Sequence, residues 1–131
     1  MAEFINELRV TRIDRKLRRY RLDAPFTVRK TGHRGTSVMR DLVVVPSGFL
    51  TDGASVPSWL WGAIPPDGMS FKAAVVHDWL CLLIDQGRPH PGFVTRRRCD
   101  DFFLELLEES RVPAIQRWAM YLAVRWFSDR L

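Results

Sequence analysis

Hydrophobic residues recur at every second position through the first third of the chain and at helical spacing through its second half, and this change of period divides the sequence. Leu8, Val10 and Ile13, then Tyr20 and Leu22, then Phe26 and Val28 alternate with charged residues, as side chains do on strands with one buried face. Leu42-Val43-Val44-Val45, apolar and rich in β-branched residues, predicts a further strand ended by Pro46 and Gly48. Between these runs Thr31-Gly32-His33-Arg34-Gly35-Thr36 predicts a hairpin tip or loop with His33 exposed. After Val45 the turn formers cluster around Asp52 and Gly53, predicting a shaped loop; Ser55 or Ser58 can cap a short helix around Trp59-Leu60-Trp61.

Helical spacing takes over near residue 70. Ser70 is placed to cap a helix that begins near Phe71 and ends by Gly87. A loop from Gly87 to Gly92 follows, with His90 expected to face solvent, and a second helix is expected from about Thr95 to Ser110 with Phe102, Phe103, Leu106 and Leu107 inward. Pro113 opens a last helix whose stripe of Ile115, Trp118, Ala119, Leu122, Ala123 and Trp126 reads as a core face. Strands followed by three main helices, the first two antiparallel across their short connection, predict an α+β fold. One domain spans 1–131, with a β-rich part over about 1–50, the shaped loop and short helix over 51–69, and a helical part over 70–131.

Composition sets bounds on this picture. A chain of 131 residues, 47% hydrophobic, can build a core without disulfides or metal. No run approaches the ~18 apolar residues of a membrane span, and the N-terminus lacks the layout of a secretory signal, so cytoplasmic synthesis and folding are expected. Cys81 and Cys99 sit in apolar helical surroundings and are expected to be buried free thiols. Zinc held through His77, Cys81 and Cys99 is not expected, because the usual short-spaced cysteine pairs are missing. The net charge of +5 is uneven: residues 9–41 carry eleven Arg and Lys against three Asp. Too few aromatics interleave with these arginines to make a stacking platform, so nucleic acid is not an expected partner and a solvated strand face is.

The chemistry concentrates in Ala73-Ala74-Val75-Val76-His77-Asp78-Trp79-Leu80. A buried imidazole or carboxylate is costly without a partner, so their presence in an apolar helix predicts a polar site. His77 shares a face with Ala73, Ala74, Leu80, Cys81 and Ile84, whereas Asp78 turns about 100° away, toward Val75 and Leu82. On the next helix Asp100 shares the face of Phe103, Leu104 and Leu107, while Asp101 lines up with Glu105 and Glu108. Asp100 can then accept a bond from one nitrogen of His77, orienting the ring and leaving the other nitrogen to take a proton from water. Asp78, helped by Asp52 and by backbone carbonyls of the loop that contains Gly53 and Ser55, can hold a hard cation such as Ca2+. The alternative is a satisfied hydrogen-bond network with a purely structural role.

Four ordered blocks, Thr51-Asp52-Gly53-Ala54-Ser55-Val56-Pro57, Ala73 to Leu80, Thr95-Arg96 with Cys99-Asp100 and Phe103, and Met120-Tyr121-Leu122-Ala123-Val124-Arg125, resemble a domain-of-unknown-function family common in tailed phages and prophages. The chain departs from that family at Cys81, where an aromatic residue is usual. More remotely, the His-Asp pair followed by Asp on an antiparallel helix is similar to secreted phospholipase A2, above all its prokaryotic branch. That resemblance implies His77 as the base that activates water, Asp78 as a calcium ligand and Asp100 as the orienter of His77. The phospholipase family's glycine-rich calcium loop and cysteine bridges have no counterpart here.

Two functions follow as expectations. One is a small hydrolase of phage type, acting on a lipid ester or another ester or amide bond of the cell envelope or a membrane surface. The other is a structural or accessory protein, associated with other virion or tail proteins, whose His/Asp cluster serves the fold. A cleft open at His77 would favour the first, and a sealed, fully paired cluster the second. Trp59, Trp61, Trp118 and Trp126 are expected in the core, and would mark a docking or membrane-interface patch if exposed together.

Overall fold

Alternation builds two small antiparallel sheets. In the computed structural model, which describes residues 2–14, 19–30, 42–51 and 70–130 (residues 14 and 127–130 by backbone alone), β1 (Ala2–Phe4), β4 (Phe26–Lys30) and β5 (Leu42–Val45) form one sheet in the order β1-β4-β5. β2 (Val10–Asp14), β3 (Arg19–Leu22) and β6 (Leu50–Thr51) form the other, in the order β2-β3-β6. Phe26 and Val28 on β4, paired with Val45 and Val43 on β5, are fully buried, while Val44 between them is 46% exposed, so even this apolar run keeps one wet face. Tyr20 and Leu22 alternate inward on β3 against exposed Arg19 and Arg21.

Three details depart from the pattern-based reading. Ile13 is 45% exposed, because the β2–β3 register shifts between Arg12 and Asp14. β1, too short to show a period, is held against β4 by backbone pairing and by an Arg29–Glu3 ion pair at 2.8 Å. Leu50 and Thr51, read as part of the shaped loop, instead pair with Arg21 and Tyr20 as β6. The Thr31–Thr36 loop with His33, the remainder of the shaped loop and the Trp59–Trp61 helix lie outside the described residues.

The helices follow the sequence closely: α1 spans Phe71–Asp85, α2 Arg96–Glu109 and α3 Ala114–Arg130. Thr95 caps α2 from an extended backbone, its hydroxyl accepting from the Arg98 N–H at 3.2 Å. Ser70 holds the corresponding position on α1 without making that bond. Its own backbone is already helical, which keeps the hydroxyl from the capping geometry. Both α1 and α2 end in a left-handed turn: Gly87 (φ 73°) and Arg88 donate to Ile84 and Leu83, and Arg111 (φ 60°) and Val112 donate to Glu108 and Leu107.

α2 is central. It packs against α1, α3 and β1, and the core runs from Phe26, Val28, Val43 and Val45 through Val75, Val76 and Leu80 to Phe102, Phe103, Leu106 and Leu107. Contacts rise along α2 as they fall along α1: Arg96 pairs with Asp85, and Asp100 with His77. The two helices are therefore antiparallel. α3 buries Met120 and Val124, and of the expected stripe Ala123 alone packs against the core, partly buried: Ile115 is 87% exposed, Leu122 62%, Trp126 50% and Trp118 48%. The helix meets α2 on the face opposite that stripe, and periodicity alone does not tell which of two apolar faces wins. No helix among the described residues is long and apolar enough to cross a membrane.

The two helix ends make opposite predictions. Nothing lies within 4 Å of a Cβ built on Gly87, so Gly87→Ala meets only the left-handed backbone; it should cost about 1 kcal/mol and lower the melting midpoint by ~3–5 °C. Arg111→Gly, which relieves the same strain, should leave the midpoint unchanged or raise it in the same thermal melt.

Candidate functional site

Three helices converge on one carboxylate. Asp100 has no solvent exposure; its Oδ1 lies 2.6 Å from Nε2 of His77 on α1, and its Oδ2 accepts from Nη1 of Arg125 on α3 at 2.9 Å. The sequence places Asp100 inward because it shares the face of buried Phe103 and Leu107, while Asp101 is exposed and accepts from the Tyr121 hydroxyl at 2.6 Å. His77 is 4% exposed, its ring tilted on Phe103 at 4.9 Å between centroids.

With Nε2 committed to Asp100, Nδ1 is the nitrogen with remaining capacity; the sulfur of Cys81, one helical turn on, lies 4.0 Å from it and 3.6 Å from Nε2. Burial works to lower the His77 pKa, but the bond that Asp100 accepts from the ring, joined by the Cys81 sulfur, outweighs it and the ring is pushed up to about 10. The Cys81 thiol is itself pushed well up, first by its bond to Cys99 and then by burial, with His77 acting in the other direction. Both cysteines are free thiols, Cys99 fully buried and Cys81 partly so. A thiol held in its protonated form is a poor nucleophile, so Cys81 offers the site shape and polarisability rather than attack.

Asp78 diverges from His77 as helix geometry requires. It is half-buried and accepts from the Thr51 hydroxyl at 2.7 Å, which ties α1 to β6. An open pocket of about 330 Å³ lies there, lined by Arg19, Phe49, Leu50, Thr51, Asp78 and Leu82. Phe49 and Leu82 make an apolar wall, and Arg19 adds a cation. Asp52, Gly53 and Ser55, expected to support a metal or the site, lie outside the described residues.

The structure thus unites His77, Asp100 and Cys81, brings Asp78 to a different neighbour, and adds two residues to which sequence reasoning gave no role. Arg125 is an isolated cation one residue from buried Val124 in an otherwise apolar run, the same signal that drew attention to His77. Thr51 has no such signal, because its role depends on strand pairing. His90 is not solvent-facing as expected: it is half-buried, its Nδ1 accepts from the Gly92 N–H at 3.0 Å, and Nε2 therefore donates to the Leu42 carbonyl at 2.7 Å. It clips the α1–α2 loop to β5.

Residues 21–124 match the family described as "Protein of unknown function (DUF1353)". The chain belongs to the DUF1353 family. The uncharacterized protein y4jT of Sinorhizobium fredii (strain NBRC 101917 / NGR234) is 34% identical to the DUF1353 chain over 82 residues, covering 61% of the chain and 22% of that relative. The chain therefore matches about a fifth of y4jT's length. No solved structure matches it. The His77, Asp78 and Asp100 positions all fall inside the matched family region.

Donor chemistry bears on what the DUF1353 site can hold. His77, Cys81 and Asp100 bring a nitrogen, a sulfur and a carboxylate oxygen within 4.8 Å of one another. A zinc ion there would have to part the 2.6 Å His77–Asp100 bond and compete with Arg125 for Asp100. The set fits a proton-sharing network better than a metal cage. For Ca2+, the described residues bring together one carboxylate, Asp78, and one hydroxyl, Thr51, short of the roughly six to eight oxygens that ion takes.

A buried charge stripped of one partner is costly. Arg125→Met should destabilise the domain by about 2–4 kcal/mol in urea melts, and adding Asp100→Leu should return much of that loss. The pH dependence has a definite sign: a raised His77 pKa stabilises fully below about 6.5 and is lost as pH climbs through about 10. Unfolding free energy should therefore decline between those pH values in the parent, and decline less in His77→Gln.

Proposed function

We propose that this DUF1353 protein is a small hydrolase in which His77 serves as general base and Asp100 orients it. The observation that carries the reading is the 2.6 Å bond between Nε2 and Asp100, which leaves Nδ1 as the basic nitrogen of an imidazole whose proton affinity is raised. The resemblance of the His-Asp and later Asp to secreted phospholipase A2 assigns the same roles. In the proposed step Nδ1 takes a proton from water as the water oxygen bonds to the substrate carbonyl carbon. The imidazolium then returns that proton to the departing alkoxide or amine as the old C–O or C–N bond breaks. Asp100 keeps its hold on Nε2 throughout, and Arg125, donating to the second oxygen, fixes the carboxylate against the ring. The pocket on the Asp78 side of α1, which His77 does not line, suits an acyl or alkyl chain along Phe49 and Leu82 and an anionic group near Arg19, and so supports a lipid or cell-envelope ester or amide as substrate; the reading requires the substrate carbonyl to reach Nδ1 from beside that pocket. No step runs through a metal.

A second reading is the one a sealed, paired cluster favours over an open cleft at His77, and the burial of the cluster supports it. With His77 4% exposed and both Asp100 oxygens engaged, the network resembles one kept for fold specificity, as in an accessory phage protein that docks on other virion or tail components.

Purified protein supplied with phospholipid vesicles and with peptidoglycan, with and without Ca2+, separates the readings. Hydrolysis by the parent that falls by roughly 100-fold or more in His77→Gln, while the fold persists by circular dichroism, is the expected result. Because the base must first lose its proton, kcat/KM should climb with pH toward about 10. Activity undiminished in His77→Gln, or a folded parent inert on every substrate, would remove the catalytic assignment.

A further inference from the structure

We propose that the exposed face of α3 is a two-fold contact between two copies of this chain. The face carries Ile115, Trp118, Leu122 and Trp126, each about half exposed or more, on a helix whose opposite face buries Met120 and Val124. Its order is symmetric: Trp118 and Trp126 stand four residues to either side of Leu122. A two-fold axis through Leu122, perpendicular to the helix, lays two α3 helices antiparallel. It sets Leu122 on Leu122 of the second copy and Trp118 on Trp126 of the second copy. An isologous interface demands this self-complementarity, and a face shaped for an unrelated partner does not.

Other features agree with a second copy as the occupant. Ala119, between the tryptophans, is small enough to let the helices approach, and Trp118, Leu122 and Trp126, which meet about the axis, carry no charge. The antiparallel arrangement also opposes the two helix dipoles favourably. Trp118 is held edge-on by Tyr121 at 5.7 Å and 88°, and the Tyr121 hydroxyl is anchored to Asp101 on α2, so this ring gives up little freedom on contact. Trp118, Leu122 and Trp126 leave on the order of 400 Å² of exposed surface, about half of the ~800 Å² per partner that stable interfaces bury. The inference does not depend on the hydrolase reading.

Sedimentation velocity on the full chain at micromolar concentrations should show a dimer. Leu122→Glu sets two carboxylates face to face at the axis and should weaken association by roughly 100-fold or more, with the far-ultraviolet circular dichroism spectrum unchanged because residue 122 lies outside the core. Mixing Leu122→Glu with Leu122→Lys should restore a one-to-one dimer, since the axis brings the opposite charges together. A parent that is monomeric throughout the range, including one that pellets instead with phosphatidylglycerol vesicles, overturns the proposal. So does a dimer indifferent to Leu122→Glu, or a Glu and Lys pair that fails to associate.

Discussion

A carboxylate with no solvent contact is tolerable only when its charge and lone pairs are met from within, and here that demand falls on three helices at once. Asp100 on α2 takes His77 from α1 on one oxygen and Arg125 from α3 on the other. Each partner is delivered by its own helix, so the spacing and rotation of α1 and α3 about α2 are set by hydrogen-bond lengths as well as by packing. Apolar contact is forgiving of small slides between helices; a charged pair at 2.6 Å is not.

The same constraint organises the neighbourhood. His77 can hold its bond to Asp100 only with its ring fixed, and Phe103 on one side and Cys81 one turn along α1 supply the walls. The thiols of Cys81 and Cys99 then occupy the seam between α1 and α2, where a larger polar group would compete for Asp100. Asp78, forced by helix geometry onto another face, bonds Thr51 and so couples α1 to β6. Two adjacent residues thereby fasten one helix to both a helix and a sheet, which places the pocket by Asp78 next to, but apart from, the buried imidazole.

Much of this was legible in the chain. Thr95 opens α2 because a threonine ahead of an apolar-periodic run is a local capping signal, complete within a few residues, whereas the left-handed turn at Arg111 that ends the helix carries no glycine to announce it. The inward choice of Asp100 over Asp101 follows from a rotation of 100° per residue on a helix with one apolar face. The pairing of His77 with Asp100 was foreseeable because a buried imidazole and a buried acid on adjoining antiparallel helices each need what the other has. The burial of His90 is not legible in the chain, because proline and glycine neighbours say that a loop is present, not what it packs on; its partner is a carbonyl 48 residues away.

The sequence by itself determined the helices, the main strands and the residues that must seek polar partners, because periodicity, caps and the cost of a buried charge are properties of short stretches. Tertiary structure alone decided that Arg125 completes the network, that Thr51 reaches Asp78, and that α3 turns Met120 and Val124 inward while Trp118, Leu122 and Trp126 stay in contact with solvent. α3 has apolar residues on more than one face, and local preference cannot rank them. The choice is made with α2, whose buried Asp100 is met by Arg125 of α3.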